Sequence, residues 1–439
     1  MDKLTCAREK INSIDSAMAE LFSQRLEAVK SIAEFKAENS LPILDVKRES
    51  AIIEKNSELI SDPEIKEHYI NFLKNTIAIS RSYQAELYPE IENGILYESE
   101  NVRRITVHLG KDSYNIWLGC GTVQNAKEYF DLDRRVLIVT DSGVPDAYAK
   151  TIAAQCKEAH VYVIPEGEGG KSISNFEKLL SFMAANRFTR TDCVIAVGGG
   201  VVGDLAGFVA ASYMRGVDFY NVPTTLLSQV DSSIGGKVAI DLDGYKNIVG
   251  AFYQPRGVIV DPELLLTLDI RQVRAGLAEA LKMATTSDCE LFALFESGEY
   301  LNDIEQVIFK SLLIKRGIVQ RDVSEKGERK ILNFGHTIGH AIESTTSLLH
   351  GEAVALGMLP VCSEEVRSRL LPIILDMGLP TETDVTMGEI YDFILRDKKA
   401  SGNYITITFV NEIGKAELCK IPIENIKDLF DPKLYGGIQ

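Results

Sequence analysis

Glycine is distributed unevenly along this chain, and its absence from one part limits what that part can form. The chain holds 33 glycines, and none of them lies in residues 1–88. That segment is dense in helix formers and places its apolar residues at helical spacing, which is typical of an all-helical domain. We predict helices from about Leu4 to Ala37 and from about Val46 to Leu59. A third should run from Asp62–Pro63, a favourable N-cap and first-turn pair, to about Leu87.

Residues 103–439 follow a different pattern. From about Ile105, β-branched runs alternate with helical stretches, as in RRVLIVTDSG, HVYVIPEGEGG, DCVIAVGGGVVGD, VDFYNVPTTLL and GVIVDPELL. This alternation predicts a mainly parallel sheet covered by helices. After about Pro262 the pattern is helical, apart from a strand-like YITITFV. We therefore predict a multidomain chain: an all-α three-helix domain (1–90), a polar, strand-poor linker (91–102), an α/β nucleotide-binding domain (103–260) and an all-α metal-binding domain (261–439).

The composition is that of a globular protein with an acidic balance. Hydrophobic residues make up 45% and charged residues 25%, and the formal net charge of −16 argues against a nucleic-acid or anionic-membrane partner. The seven cysteines are scattered without a CxxC pair, as in reduced cytosolic proteins. The segment MDKLTCAREKINSID lacks the apolar core of a signal peptide, and glycines and Asp204 interrupt Cys193–Met214. We expect a cytoplasmic protein that must gather cations locally for any anionic substrate.

Two cations lie on the apolar stripe of the first predicted helix. That stripe consists of Leu4, Ile11, Ile14, Met18, Leu21, Val29 and Ile32. Arg25 and Lys36 point almost the same way as the stripe. They either extend into solvent or line a dry pocket for a small polyanion, because an unpaired buried cation costs several kcal/mol. Arg8 lies about 40 Å from Lys36 along one helix, so a pocket containing both would take Arg8 from a partner subunit. This predicts an intertwined homodimer.

Residues 1–88 resemble the all-helical chorismate mutase family through the segments AREKI, SQRLEAV, FKAEN, LDVKRES and SRSYQ. The resemblance implies rearrangement of chorismate to prephenate without a nucleophile or general base. Arginines would hold the two carboxylates, while Lys36 and Gln84 would stabilise the ether oxygen. Leu44 stands where the family often has a basic residue. The alternative role is a regulatory module that senses chorismate or prephenate. The implied pocket residues are Arg8, Arg25, Lys36, Asp45, Arg48, Glu49, Ser80 and Gln84.

Three of the six histidines lie in NFGHTIGHAIESTTSLLHGE, residues 333–352. His336 and His340 share a face if this segment is helical, and imidazole is the commonest metal ligand. Glu279 and Lys282, in AGLAEALKM, also share a helix face. A glutamate with two histidines would make a three-ligand zinc site with an open fourth position. The alternatives are histidines that cap or pack a helix and a glutamate that is a surface charge.

Three glycine-bearing loops follow predicted strands. They read PEGEGGK (165–171), GGGVVGDLAGF (198–208) and PTTLLSQVDSSIGGK (223–237). Glycine lets the backbone approach a phosphate, and a helix N-terminus beyond it favours anions. The second loop lacks the spacing of the usual Rossmann motif, and by itself it also fits a tight strand-to-helix turn. Together the three loops predict a nucleotide site at the carboxyl edge of the sheet.

Residues 103–435 resemble the 3-dehydroquinate synthase family through these motifs. The resemblance implies NAD, zinc (or cobalt in its place), and cyclisation of 3-deoxy-D-arabino-heptulosonate 7-phosphate to 3-dehydroquinate with loss of phosphate. The implied zinc ligands are Glu279, His336 and His350, with His340 as a nearby polar or acid–base group. The implied NAD contacts are Asp141, Glu168, Lys171, Gly199, Gly200, Asp204, Thr224, Thr225, Asp231 and Thr267. The implied substrate residues are Arg215, Lys237, Lys246, Asn247, Lys282, Lys315, Glu325, Arg329 and Asn333, with Lys398 or Lys399.

The sequence departs from that family at two places. Val238 and Asp241 stand where the family more often has Thr and Asn, and the segment after His350 is shorter than usual. This shortening lies outside the implied ligands, so we expect altered packing or dimer contacts there. The alternatives among enzymes are a related sugar-phosphate cyclase and a zinc alcohol dehydrogenase of similar fold. Lys315, Arg329 and Asn333 together favour the dehydroquinate-forming member.

Overall fold

The first part of the fold contains three α-helices. A computed structural model describes residues 3–38, 46–87, 95–99, 102–398 and 404–429, and the chain divides into two compact units, residues 1–106 and 107–439. Helices α1 (Lys3–Glu38), α2 (Val46–Ser57) and α3 (Pro63–Leu87) confirm the predicted helices to within about two residues at each end. Asp62 accepts a hydrogen bond from the backbone N–H of Ile65, as an N-cap does.

A β-hairpin follows these helices, which corrects the prediction of a strand-poor linker. Strands β1 (Ile95–Ser99) and β2 (Val102–Val107) pair antiparallel. Val102, Ile105 and Val107 of β2 are buried, and this burial of apolar side chains favours a strand despite the two arginines between them. Charged neighbours obscured the short apolar alternation in the sequence.

The second unit contributes six parallel strands, which confirms the predicted mainly parallel sheet; five of them match the predicted runs, and Tyr114–Leu118 is an additional strand. They are β3 (Tyr114–Leu118), β4 (Arg135–Asp141), β5 (Glu158–Ile164), β6 (Cys193–Gly198), β7 (Asp218–Pro223) and β10 (Gly257–Val260). Between β7 and β10 the chain forms a separate antiparallel hairpin of β8 (Lys237–Leu242) and β9 (Tyr245–Phe252). Their order is β3-β10-β7-β6-β4-β5. Every residue of β6 is buried, as expected for a central strand covered on both faces.

Helices connect these strands and place their N-termini at the carboxyl edge of the sheet. They are α4 (Ala126–Tyr129), α5 (Asp146–Ala153), α6 (Ile173–Ala185) and α7 (Gly200–Ser212). The backbone of α7 begins directly after β6, with Gly199 as its N-cap residue. The three glycine-bearing loops therefore follow β5, β6 and β7 and lie at one edge, as predicted.

A mainly helical region completes the second unit. Its helices are α8 (Ile270–Ser287), α9 (Cys289–Glu296), α10 (Ile304–Arg321), α11 (His336–Thr345), α12 (His350–Met358), α13 (Glu364–Asp376) and α14 (Met387–Lys398). Helix α8 lies at its centre, and every residue from Ala275 to Thr286 is buried. In the part of the chain that the structure describes, no helix is both long enough and apolar enough to cross a membrane.

A second hairpin lies in this region and contains one strand that the sequence did not reveal. Strand β11 (Tyr404–Glu412) covers the predicted YITITFV, and β12 (Lys415–Pro422) pairs with it antiparallel. The expectation that only one strand follows Pro262 was therefore wrong. Strand β12 carries Lys415, Glu417 and Lys420, and such charges are uncommon in strands, so its propensity was too weak to predict pairing.

Candidate metal and substrate site

Three histidines form a cluster where α11 meets α12. His336 and His340 lie one turn apart on α11, and His350 is the first residue of α12. A nitrogen from each ring lies within 4.8 Å of one from each of the others. The Nδ1 of His336 donates to the carbonyl of Phe334 over 3.1 Å, which leaves its Nε2 for the cluster. This arrangement suits a divalent metal ion better than it suits a helix cap.

The carboxylate of Glu279 reaches the same cluster from α8. Its Oε1 lies 3.7 Å from His336 Nε2 and 3.5 Å from His350 Nε2, and its Oε2 lies 2.6 Å from Lys282 Nζ. Glu279 is fully buried, and apart from the ion pair no described residue gives either oxygen a hydrogen bond. A buried carboxylate without such partners is costly unless a cation satisfies it. The donor set of one carboxylate and imidazole nitrogens fits zinc.

The predicted ligands Glu279, His336 and His350 therefore lie together, and so does His340, which was expected nearby. His340 is the most exposed of the three histidines. Burial, followed by the positive charge of Lys282, lowers the pKa of His336 well below its usual value. His336 is consequently neutral near pH 7, the form in which imidazole binds metals.

Close contacts between backbones fix these helices relative to one another. A Cβ on Gly351 of α12 would lie 2.0 Å from the carbonyl oxygen of Ala275 on α8, and a Cβ on Gly357 would lie 2.1 Å from the carbonyl oxygen of Gly335. Only glycine permits these approaches. They hold the histidines of α11 and α12 against Glu279.

Two buried lysines extend the cluster. Lys282 Nζ lies 3.8 Å from a carboxylate oxygen of Asp231, and Lys315 is ion-paired with the same carboxylate. Asp231 lies in a π-helical turn (Ser228–Ser232) after β7, and such turns are frequent at functional sites. Burial lowers the pKa of Lys315 to about 8. Asp231 was expected to contact NAD, and the structure places it beside these substrate-site lysines.

Most of the other predicted substrate residues lie in a second polar group. Glu325 is ion-paired with Lys237 and accepts a hydrogen bond of 3.0 Å from Asn333. The buried Arg329 guanidinium donates to the carbonyls of Gly235 and Val323, over 3.2 and 2.8 Å. These contacts hold the side chains in place. The guanidinium of Arg329 and the ammonium of Lys237 each have further N–H groups with which they could bind a substrate.

Three predicted substrate residues lie outside that group. Lys246 and Asn247 lie on β9, where Asn247 has a φ of +55° and its backbone N–H donates to Asp241. Arg215, with a φ of +69°, is exposed on the turn after α7. Lys398 ends α14, but its side chain and all of Lys399 lie outside the described residues.

One residue that the sequence reasoning missed joins the metal cluster. Glu343 accepts a hydrogen bond of 2.9 Å from His350 Nδ1 and one of 2.7 Å from Lys246 Nζ. Burial lowers the pKa of His350, but the hydrogen bond to Glu343 and the negative charges of Glu279 and Glu343 together outweigh it and raise the pKa above its usual value. Glu343 follows His336 by seven residues, and this helical spacing was the available signal for a shared face.

The predicted NAD contacts gather at the carboxyl edge of the sheet. A Cβ on Gly199 would lie 3.1 Å from Thr225, and one on Gly200 would lie 3.2 Å from Ser232, so side chains there would narrow the space at the start of α7. Lys171 is ion-paired with Glu168 over 3.0 Å and with Asp204 over 3.2 Å. Burial raises the pKa of Asp204 to about 6. The other contacts lie at the same edge, with Asp141 ending β4, Thr224 following β7 and Thr267 following β10.

This edge fits a dinucleotide phosphate. The N-terminus of α7 presents backbone N–H groups, and the glycines leave room for the ligand to approach them. Lys171 supplies a buried positive charge nearby. The residues present are therefore suited to NAD.

In the first unit, the structure brings three of the predicted pocket residues together. Arg25 Nε donates to Ser80 Oγ over 3.2 Å, and Gln84 donates to the Ser80 carbonyl over 3.2 Å. The Oε1 of Gln84 is buried without a hydrogen-bond partner among the described residues. Arg8, Arg25 and Arg48 are exposed and Lys36 is half-buried, so one chain alone does not enclose the expected dry pocket. Asp45 and the side chain of Glu49 lie outside the described residues.

Family models and relatives identify both parts of the chain. Chorismate mutase type II matches residues 7–85, and the N-terminal and C-terminal models of 3-dehydroquinate synthase match residues 161–275 and 276–400. A 3-dehydroquinate synthase of Enterococcus faecalis is 39% identical over 359 residues, which cover 76% of this chain and 100% of that protein. A 3-dehydroquinate synthase of Clostridium acetobutylicum is 38% identical, with 73% and 97% covered.

Solved structures with the same fold include two other cyclases. One is 2-deoxy-scyllo-inosose synthase complexed with carbaglucose-6-phosphate, NAD+ and Co2+. It is 26% identical to this chain with a TM-score of 0.68, and the match covers 74% of this chain and 98% of that chain. The other is 2-epi-5-epi-valiolone synthase from Streptomyces hygroscopicus subsp. jinggangensis 5008 with NAD+ and Zn2+ bound, with a TM-score of 0.66, 28% identity, and 72% and 95% covered. The chain therefore belongs to the 3-dehydroquinate synthase family and joins to it a chorismate mutase domain, so that two enzymes share one polypeptide.

Proposed function

We propose that the second unit catalyses the NAD- and zinc-dependent cyclisation of 3-deoxy-D-arabino-heptulosonate 7-phosphate to 3-dehydroquinate and phosphate. The observation that carries this proposal is the position of two buried lysines, Lys282 and Lys315, next to Glu279 and the three histidines. A substrate with a carboxylate and a phosphate needs cations close to the metal. The solved cyclases with bound NAD+ and Co2+ or Zn2+ support both cofactors, with cobalt able to replace zinc.

The chain's own residues would position the substrate and move protons. When bound, zinc and NAD would supply Lewis acidity at a ring hydroxyl and reversible storage of a hydride. Lys282 and Lys315 would hold anionic groups of the substrate in a site from which water is largely excluded. His340, the most exposed histidine of the cluster, would exchange protons with substrate oxygens.

Product analysis with the full-length protein tests this proposal. With NAD and zinc present, we expect 3-dehydroquinate from heptulosonate 7-phosphate, no product from sedoheptulose 7-phosphate, and no net NADH. A carbocycle formed only from sedoheptulose 7-phosphate would favour a related sugar-phosphate cyclase. Accumulation of NADH would favour an alcohol dehydrogenase.

We also propose that the first unit rearranges chorismate to prephenate as a homodimer, with Arg8 supplied by the partner subunit. The contact between Arg25, Ser80 and Gln84 supports a polar pocket on this unit. Five residues of the apolar stripe of α1 are exposed in a single chain, among them Ile11 (55%) and Leu21 (64%). A second copy would bury that stripe and enclose the pocket.

Chorismate turnover by the full-length protein tests the mutase proposal. We expect prephenate formation, and we expect Lys36→Ala to lower kcat by at least about 100-fold because the charge on the ether oxygen is no longer stabilised. Lys30→Ala, on the same helix, is the matched control. Equal turnover by Lys36→Ala and wild type would contradict a catalytic role. If chorismate is not turned over and prephenate alters the synthase rate, the unit is a sensor.

A further inference from the structure

Glu343 is shared between the histidine cluster and a lysine of the β8–β9 hairpin. One carboxylate oxygen accepts a hydrogen bond from His350 Nδ1 over 2.9 Å, and the other accepts one from Lys246 Nζ over 2.7 Å. We propose that Glu343 is a positioning residue that orients His350 for metal binding and couples metal affinity to the position of Lys246. This inference rests on the proposed zinc-dependent function.

The hydrogen bond to Glu343 determines which nitrogen of His350 faces the cluster. Because Nδ1 carries the donated proton, the lone pair lies on Nε2, which is 3.5 Å from Glu279 Oε1. A carboxylate partner also makes the imidazole a stronger donor to a metal than a neutral partner does. His336 offers a comparison within the same cluster, since its Nδ1 bonds to the neutral carbonyl of Phe334.

Lys246 connects this carboxylate to a separate structural element. It lies on β9, which pairs with β8 outside the main sheet, and its side chain is 50% exposed while that of Glu343 is 18% exposed. When an anionic ligand draws Lys246 away, the whole charge of Glu343 becomes available to His350. Metal binding then becomes tighter, and by thermodynamic linkage the metal favours the same displacement.

Metal affinity of the full-length protein, measured without NAD or substrate, tests both parts of the proposal. Competition with a chelator gives the affinity for Zn²⁺, and the visible absorption of the Co²⁺-loaded protein reports the ligand field. We expect Glu343→Gln to weaken Zn²⁺ binding by about 10–100-fold and to change the Co²⁺ absorption bands. Glu296→Gln, which removes an ion pair with Arg369 on α13, is the matched control and should change neither.

A double-mutant cycle isolates the coupling. Lys246→Met should tighten Zn²⁺ binding by a few-fold in the wild-type background and have no effect in the Glu343→Gln background. Glu343→Asp, which keeps the charge but shortens the side chain, should give an intermediate affinity, and it replaces Glu343→Gln if that variant does not fold.

Two results would overturn the inference alone: wild-type affinity in the Glu343 variants, or an equal effect of Lys246→Met in both backgrounds. Failure of the wild-type protein to bind Zn²⁺ at the histidine cluster would overturn the proposed function as well. Unchanged metal affinity together with normal 3-dehydroquinate formation would leave the proposed function intact and remove only the role of Glu343.

Discussion

At the level of single residues, the site consists of charges that are buried together. Glu279 pairs with Lys282, and Asp231 lies between Lys282 and Lys315. Each of these groups is costly to bury alone, and each has an oppositely charged neighbour. Removing one of these charged groups therefore changes the electrostatic surroundings of the others as well as the proposed catalysis.

Glu279→Gln should lower both metal content and stability. The substitution removes a metal ligand and leaves Lys282, which is 1% exposed, short of its nearest anion. We expect loss of bound zinc and a decrease of about 3 kcal/mol in the free energy of unfolding of the metal-free protein. Metal analysis and urea unfolding measure the two effects. Glu296→Gln, at a more exposed ion pair, should cost less than about 1 kcal/mol, and an equal loss in both variants would contradict a buried charge network.

Lys315 should set an alkaline limit on the synthase. Its pKa of about 8 means that the side chain loses its proton, and with it its attraction for an anionic substrate, as the pH rises through that value. We expect kcat/KM at pH 9 to be about tenfold below its plateau. Arginine stays charged, so the limit should move to higher pH in Lys315→Arg, which we expect to be less active overall. Lys310→Arg, at an ion pair with Glu290 outside the site, should leave the profile unchanged. An unchanged alkaline limit in Lys315→Arg would assign that limit to another group.

At the level of helices and strands, the geometry of the metal cluster depends on close packing between backbones. Helix α12 approaches α8 at Gly351 and approaches the start of α11 at Gly357. The distance between the histidines and Glu279 is thus set by contacts that involve no metal-binding side chain. A methyl group at these contacts must separate the helices.

Gly351→Ala should therefore impair the site from a position that is not itself a ligand. The added Cβ would lie 2.0 Å from the Ala275 carbonyl oxygen, so α12 must move by about 1 Å. We expect a loss of about 1–3 kcal/mol in stability and a decrease in synthase activity of about 100-fold. Gly388→Ala, at an exposed position of helix α14, should be neutral or slightly stabilising. Wild-type metal affinity and activity in Gly351→Ala would show that the cluster tolerates this movement.

The elements that carried long, regular patterns could be predicted from the sequence. Helices α1 to α3 and the parallel sheet were evident because their apolar residues recur over many positions, and the glycine loops located the carboxyl edge. The strands β1 and β12 were not evident, because β1 has only five residues and β12 carries charged residues among its apolar ones. Glu343 was missed because its role depends on Lys246, a residue far away in sequence whose contact only the tertiary fold creates.

At the level of the whole molecule, we expect the two activities to differ in their requirement for association. The candidate synthase residues belong to one compact unit of one chain. The proposed mutase pocket would be completed by a partner subunit, and most of the apolar stripe of α1, including Ile11 and Leu21, is exposed in a single chain. Dissociation of the proposed dimer should then affect one activity and spare the other.

Leu21→Glu should separate the two activities. Leu21 is 64% exposed in one chain, so a charge there costs little in the monomer but would be buried in the proposed dimer. We expect mutase activity at low enzyme concentration to fall by at least about tenfold and synthase activity to stay within about twofold. Ser16→Glu, on the opposite face of α1, should leave both activities and the sedimentation coefficient unchanged. Full mutase activity in a monomeric Leu21→Glu protein would refute the shared pocket.

The internal pairing of the site's cations has a consequence for selectivity. Lys282 and Lys315 are already ion-paired with carboxylates of the protein. An anionic ligand must therefore displace one of these carboxylates before it can pair with a lysine. A small free anion such as inorganic phosphate offers a single group for that exchange and should be retained poorly, which helps the released phosphate to leave. A substrate that presents a carboxylate, a phosphate and metal-binding hydroxyls together can exchange several partners at once. The carboxylates of the site thus compete with the ligand for the lysines, and this competition favours a ligand that binds through several groups at once.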